Sequence, residues 1–289
     1  KGPRIALDRN ATVQSDPTAF FSRPVPIGVS SAPIVADCYS GTLGCKVLRE
    51  NGDGTFTSYA LSNNHVFADE NKGVRNSTVI VQPSPGDNIL DFCSTNTAFQ
   101  IATLSDFVPL KFGAGEVNVV DAAIARVLSG AVRTGTPSDD GYGSPGTEPV
   151  APIVGLPVMK YGRSTGLTFG SIIAINVTVT VAYSTGNALF NGQVAYESSG
   201  FDLFSIPGDS GSLVVTFPDA EPVALNFAGG GATAYGNPIQ KVIEVWNLHF
   251  PEPDPDDGGG ILEVLGKRGR PASTIVFNFD DFFFFSTKK

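Results

Sequence analysis

The chain has 289 residues, of which 42% are hydrophobic and 16% charged, with a formal net charge of -9. That composition describes a globular chain with room for one large or two modest packed domains, and excludes a disordered one. It also excludes a nucleic-acid binder, since Lys267-Arg268-Gly269-Arg270 is too small a basic cluster, and a membrane-spanning protein, since no apolar run nears the ~18 residues of a span.

Thirty-three Gly and 21 Pro lie among short runs of Val, Ile, Thr and Phe, which favours β structure with tight turns. Residues 1–30, with Pro3, Pro17, Pro24 and Pro26, read as an irregular extension wrapped over a core. No apolar leader follows Lys1, and the chain reads as soluble with its compartment unknown. Strands are predicted at Gly41–Leu48 and Phe56–Leu61, joined by the turn Asn51-Gly52-Asp53-Gly54. Further strands are read at Ser77–Gln82 and Asn118–Val127, which makes residues 31–133 a first β unit.

The Gly/Pro/Ser-rich stretch Thr134–Glu148 reads as a linker spanning about residues 134–150. Strand signals resume at Ile153–Tyr161, Ser171–Tyr183, Gln193–Tyr196, Ser212–Phe217 and Pro222–Phe227. An amphipathic helix at Gln240–Leu248, with Val242, Ile243, Val245 and Trp246 on one face, closes a second unit over residues 151–250. A tail of residues 251–289 follows, and its Phe282–Phe285 run is expected to dock rather than stay exposed. Two groups of short strands split by a linker predict an all-β chain, either two barrels or a long sandwich.

Cys38, Cys45 and Cys93 form an odd set. Three buried thiols are the expected state, with one bridge and one free thiol as the alternative. Only two histidines exist, His65 and His249, with neither CxxC nor HxxxH spacing, so no metal and no cofactor are expected.

The chemistry gathers around Ser210, in Gly208-Asp209-Ser210-Gly211-Ser212. A hydroxyl nucleophile needs a base within reach and donors aimed at the developing oxyanion. Gly208 permits a tight turn that directs the amides of Gly208 and Ser210 into one cradle; a plain turn between strands is the bland alternative. His65, at the end of a strand in Ser62-Asn63-Asn64-His65-Val66, is the candidate base, since His249 lies beyond the last core element. Asp121 sits in the apolar run Val119-Val120-Asp121-Ala122-Ala123-Ile124, where a carboxylate needs a partner. Holding the imidazole in one tautomer is such a partnership. Asp91 and Asp106 lie in less ordered surroundings.

The order His65, Asp121, Ser210, with these flanking residues, resembles the chymotrypsin/trypsin-like serine peptidase family over roughly residues 40–245. Gly41-Thr42-Leu43-Gly44-Cys45, Lys160-Tyr161-Gly162-Arg163-Ser164-Thr165-Gly166 and Asn226-Phe227-Ala228-Gly229 are most similar to a bacterial and plant branch that includes the NARROW LEAF type. The resemblance implies two six-stranded β-barrels with the site in the cleft between them. It implies hydrolysis of peptide or protein substrates through an acyl-enzyme and, from the branch, self-association through the two terminal extensions. It also implies a primary pocket with Phe204 at its floor and Phe227, Ala228 and Gly229 in its wall, which suits a small or apolar residue before the scissile bond. No cysteine closely follows His65, and no Ile-Val-Gly-Gly terminus exists to pair with Asp209, so Asp209 needs another partner. The rival expectation is a catalytically silent structural or assembly subunit on the same fold; an esterase on that scaffold is the third.

Overall fold

The computed structural model describes residues 15–35, 38–88, 92–93, 95–200 and 202–255. The docking expected of Phe282–Phe285 falls outside these residues, as do Lys267–Arg270, Asp91 and the first part of the N-terminal extension.

The first half of the chain forms β1 (Ser30–Pro33), β2 (Gly41–Thr42), β3 (Cys45–Glu50), β4 (Phe56–Ser62), the one-turn helix α1 (Asn64–Phe67), β5 (Val79–Val81), β6 (Gln100–Phe107), β7 (Val117–Asn118) and β8 (Ala123–Val127). The predicted hairpin turn holds: Asp53 Oδ1 accepts from the Thr55 amide and hydroxyl, and Gly54 supplies the positive φ of +80°. The sheet order is β3-β4-β8-β6-β5-β1-β2. Only Leu43 and Gly44 separate β2 from β3. Gly28 N donates to Leu43 O, Leu43 N to Val29 O, and Gly44 N to Leu61 O. The two pieces are therefore one bent strand that closes a six-stranded barrel.

The second half forms β9 (Pro157–Gly162), β10 (Gly166–Ala182), β11 (Asn187–Ser198), β12 (Leu213–Thr216), β13 (Pro222–Gly230), β14 (Thr233–Pro238), α2 (Ile239–Glu244) and β15 (Leu248–His249). Their order is β10-β9-β12-β13-β14-β11, and β10 pairs with β11, which closes a second barrel of six strands. Two short strands lie outside the closed rings: β7 runs parallel to β11, and β15 pairs with β3. Each unit thus adds a strand to the other's sheet.

One continuous core joins the barrels. Leu43, Val47, Leu61, Phe67, Ile101 and Ile124 from the first pack in the same cluster as Met159, Tyr161, Leu213, Leu225, Ile239 and Val242 from the second. Val158, Ile172, Val194, Tyr196, Phe204, Val214 and Val223 fill the second barrel itself. Burial of this apolar surface is the main driving force for both barrels.

Several expectations are corrected. Asn118–Val127 is two strands, because Val119–Ala122 leaves the ladder to seat Asp121. β6 and β14 were unforeseen; Thr103, Ser105 and Asp106 interrupt the apolar run of the first, and Gly236 and Asn237 that of the second. Asp106 is no loop residue: it sits in β6 and accepts from Arg75 Nε and Trp246 Nε1. The helix is shorter than expected, with Ile239 and Val242 buried and Val245 exposed, and His249 belongs to a strand rather than lying beyond the core. The thiols are not all free, since Cys38 and Cys93 form a disulfide and Cys45 is buried alone. Spacing gave no access to that pairing, because the loops that meet are apart in sequence.

Candidate active site

The site is assembled from three turns. β4 ends at Ser62, and α1 presents His65 on a single helical turn whose Val66 and Phe67 are buried as anchors. Asn64 Nδ2 donates to Asn71 Oδ1 and Val108 O, and Asn63 Nδ2 donates to Asp121 O at 2.8 Å. These bonds fix the His65 backbone against the segment that leads into β8. The His65 side chain is 20% exposed.

Asp121 is fully buried, a costly place for a carboxylate unless donors surround it. Oδ2 accepts from His65 Nδ1 at 2.6 Å and from the Tyr183 hydroxyl at 2.8 Å, while Oδ1 accepts from the His65 amide at 3.2 Å. The Asp121 amide donates to Asn237 Oδ1 of the second barrel. An ionised Asp121 makes Nδ1 the donor and leaves Nε2 as the basic nitrogen.

Ser210 lies on the turn after Pro207. Gly208 and Gly211 adopt φ of +101° and +95°. A Cβ on Gly211 would come within 2.2 Å of Ser62 Oγ and 2.4 Å of Thr42 O, so glycine lets this turn press against the end of β4. Thr42 N donates to Ser210 O, Thr42 Oγ1 to Gly208 O, and Ser212 Oγ to Asp209 O. The turn thus docks on Thr42 and against Ser62, three residues upstream of His65. The Ser210 hydroxyl donates to Phe227 O at 3.5 Å, the long limit of a hydrogen bond, and none joins it to His65. The structure therefore brings His65 and Asp121 into direct contact and sets the Ser210 turn beside them, with the third contact unmade. Among the described residues, the Gly208 and Ser210 amides have no hydrogen-bond acceptor.

The partner required by Asp209 is Lys160. Both side chains are fully buried, with Nζ 3.4 Å from Oδ2. Asp209 also accepts from the Ser164, Thr165 and Ile206 amides and from the Thr165 hydroxyl. Burial draws the Lys160 pKa below its ordinary value, opposed by the Asp209 charge. A Cβ on Gly162 would meet Asp209 Oδ1 at 2.5 Å, so β9 must be bare there. Nearby, Arg163 binds both Asp87 oxygens through Nε and Nη2 and donates its amide to Thr42 Oγ1.

Of the expected pocket residues, Phe204 is wholly buried, its ring tilted 55° against Tyr196 with centroids 4.9 Å apart. Phe227 is buried against Phe190 at 4.8 Å, Ala228 is half-buried, and Gly229 is exposed. Lys160, Tyr183 and Glu70 went unassigned from the sequence. Lys160 had a legible signal, a lone cation inside Val158-Met159-Lys160-Tyr161; Tyr183 and Glu70 had none, because their partners are far along the chain.

Two closed six-stranded barrels, with a His–Asp pair on the first and a Ser-bearing turn of the second docked beside it, make this a chymotrypsin-like double β-barrel. Among solved structures it is similar to a chymotrypsin of Cellulomonas bogoriensis, with 18% identity, 78% of this chain and 98% of that one covered, and a TM-score of 0.50. It is also similar to protease A of Thermobifida fusca, with 17% identity, coverage of 78% and 97%, and a TM-score of 0.51. A glutamic acid specific serine protease gives 16% identity, coverage of 78% and 100%, and a TM-score of 0.51. At these identities the likeness is one of fold. By sequence the chain is 29% identical over 131 residues to streptogrisin-C of Streptomyces griseus. That alignment covers 43% of this chain and 27% of the relative, so the chain spans about a quarter of the relative's length. No family model matches the chain. No helix among the described residues is long and apolar enough to cross a membrane.

Proposed function

We propose that the chain is a serine endopeptidase, a reading carried by the 2.6 Å contact between His65 Nδ1 and Asp121 Oδ2 beside the Ser210 turn. The serine protease fold of its structural neighbours and the partial match to streptogrisin-C support the class. Asp121 holds His65 in the tautomer whose Nε2 is free to take a proton. For this the Ser210 hydroxyl has to leave Phe227 O, its partner at 3.5 Å, and turn toward that nitrogen. Ser210 Oγ attacks the peptide carbonyl carbon as its proton passes to His65, and the Gly208 and Ser210 amides receive the oxyanion. His65 then protonates the departing amine, leaving an acyl-enzyme that water hydrolyses by the reverse transfers.

In this reading residues 31–133 supply the acid–base pair, residues 151–250 the nucleophile and pocket, and residues 134–150 connect them. The wall formed by Phe227, Ala228 and Gly229 carries no carboxylate, which favours a small or apolar residue before the scissile bond; Phe204, placed as the floor by the resemblance, lies in the barrel core beneath. The narrower likeness to the NARROW LEAF-type branch, and the self-association it implies, rest on the quoted motifs alone. Fluorophosphonate labelling tests the main reading. Labelling of the folded protein that disappears in Ser210→Ala is expected; no labelling overturns the reading in favour of a silent assembly subunit. Turnover of small esters without any cleavage of peptides would replace endopeptidase by esterase. Peptide-library cleavage dominated by Arg or Lys would overturn the pocket assignment.

A further inference from the structure

Asp121 takes a donor from a direction that a His–Asp pair does not by itself require. The Tyr183 hydroxyl donates at 2.8 Å to Oδ2, the same oxygen that receives His65 Nδ1. Tyr183 stands one residue past the end of β10, at the tip of the β10–β11 hairpin, and so reaches from the second barrel into the first. Its ring is set edgewise against His65, with centroids 5.5 Å apart, and against Phe112 at 5.9 Å. Glu70, five residues after His65, latches that tip: Oε1 accepts from the Ser184 amide, and Oε2 from the Ser184 hydroxyl and the Thr185 amide. Two residues of the first barrel, Asp121 and Glu70, therefore grip adjacent residues of one hairpin.

We propose that Tyr183 is a positioning residue for the His65–Asp121 pair, held in place by the Glu70 latch, so that the pair is fully set only when the two barrels are docked; this rests on the peptidase reading above. A carboxylate buried without water can rotate about its Cβ–Cγ bond unless both oxygens are engaged. The His65 amide holds Oδ1, and Tyr183 fixes the second lone pair of Oδ2, which leaves the other aimed at Nδ1. Burial and the Asp121 charge push the Tyr183 pKa far above its ordinary value, so the hydroxyl remains a donor at any working pH.

Tyr183→Phe removes this bond and keeps the ring packing. The proton NMR signal of the His65 Nδ1–H, read without turnover, tests the pair directly. It is expected to move upfield or broaden through faster exchange in Tyr183→Phe. In peptide hydrolysis kcat is expected to fall about tenfold while KM stays within about twofold. Glu70→Gln, which leaves the site side chains intact, is expected to shift both readouts the same way by less. An unchanged Nδ1–H signal in folded Tyr183→Phe overturns the proposal, as does a change in KM alone. A wild type without peptidase activity whose signal still moves in the variant would retain Tyr183 as the positioning group and overturn the peptidase reading.

Discussion

Lys160 Nζ lies 3.4 Å from Asp209 Oδ2, and neither side chain exposes any surface. The pair is made within the second barrel, from β9 to the residue before Ser210, and Thr165 Oγ1 accepts from the ammonium at 2.5 Å. The turn carrying the Gly208 and Ser210 amides is therefore braced by an internal cation and needs no freed chain terminus.

Replacing that cation should be costly. Lys160→Met leaves Asp209 as a buried charge without its counter-ion, for which a loss of about 3–5 kcal/mol is expected. Urea melts of wild type and variant measure it. Adding Asp209→Asn should recover part of the loss, because the uncompensated charge is gone while most of the amide donors keep an acceptor. Melts in which the double variant is no more stable than Lys160→Met would contradict this account.

Gly211 and Gly230 make a second, paired test. A methyl group on Gly211 meets Ser62 Oγ and the Thr42 carbonyl at a φ of +95°, whereas around Gly230 nothing lies within 4 Å. Gly211→Ala should cost more than about 2 kcal/mol and abolish fluorophosphonate labelling, since the Ser210 turn must move off β4. Gly230→Ala should stay within about 0.5 kcal/mol of wild type. Equal melting curves for the two variants would refute this close approach of turn and strand.

Much of this was legible in the residues. Two groups of short strands split by a linker gave an all-β chain and left two barrels or a long sandwich open. The resemblance carried by the Gly-Asp-Ser-Gly-Ser turn, His65 and Asp121 pointed to the two barrels that the sheets form. The parts that escaped are those set by distant pairing. Tyr183 looks like the last alternating residue of a strand, and only the turn-to-turn meeting of the hairpin tip with Glu70 and Asp121 gives it a role. The alternation in Ile173, Ile175, Val177, Val179 and Val181 is real, but register shifts along β10 turn Ile173 and Ile175 toward solvent while Val179 and Val181 pack near Phe190. Phe204 was placed from its distance to Ser210 in sequence, and packing decided that its whole ring enters the barrel core.

Acid should loosen the junction beside the Ser210 turn. Burial works to raise the Asp87 pKa, but hydrogen bonds from Arg163, Ser30 and Ser84, with the Arg163 charge, hold it below the ordinary carboxylate value. A depressed folded-state pKa contributes stability that is fully present above the unfolded value, near 4. That stability is lost as pH falls through the folded value. Glu70 has the same sign, its burial outweighed by donors from Thr185 and Ser184. Thermal melts from pH 6 down to pH 2 should fall steeply below about pH 4. Asp87→Asn should be less stable at pH 6 and show a shallower fall; a parallel curve would exclude Asp87 as a source of the slope.

The Cys38–Cys93 bridge closes a loop with a sequence separation of 55, enclosing β2 to β5 and therefore His65. In the chain-entropy account, a loop of that length stabilises the folded state by about 4 kcal/mol. Cys45 is buried within the first barrel, where desolvation pushes its thiol pKa far up and leaves it unreactive. The native, unreduced protein should therefore show no thiol to Ellman's reagent. It should show one after unfolding in guanidinium, and three after unfolding with a reductant. Reduction should also lower the guanidinium midpoint of the folded protein. Three reactive thiols on unfolding without reductant would mean that the bridge does not form, and its stabilisation would then be absent from the melts.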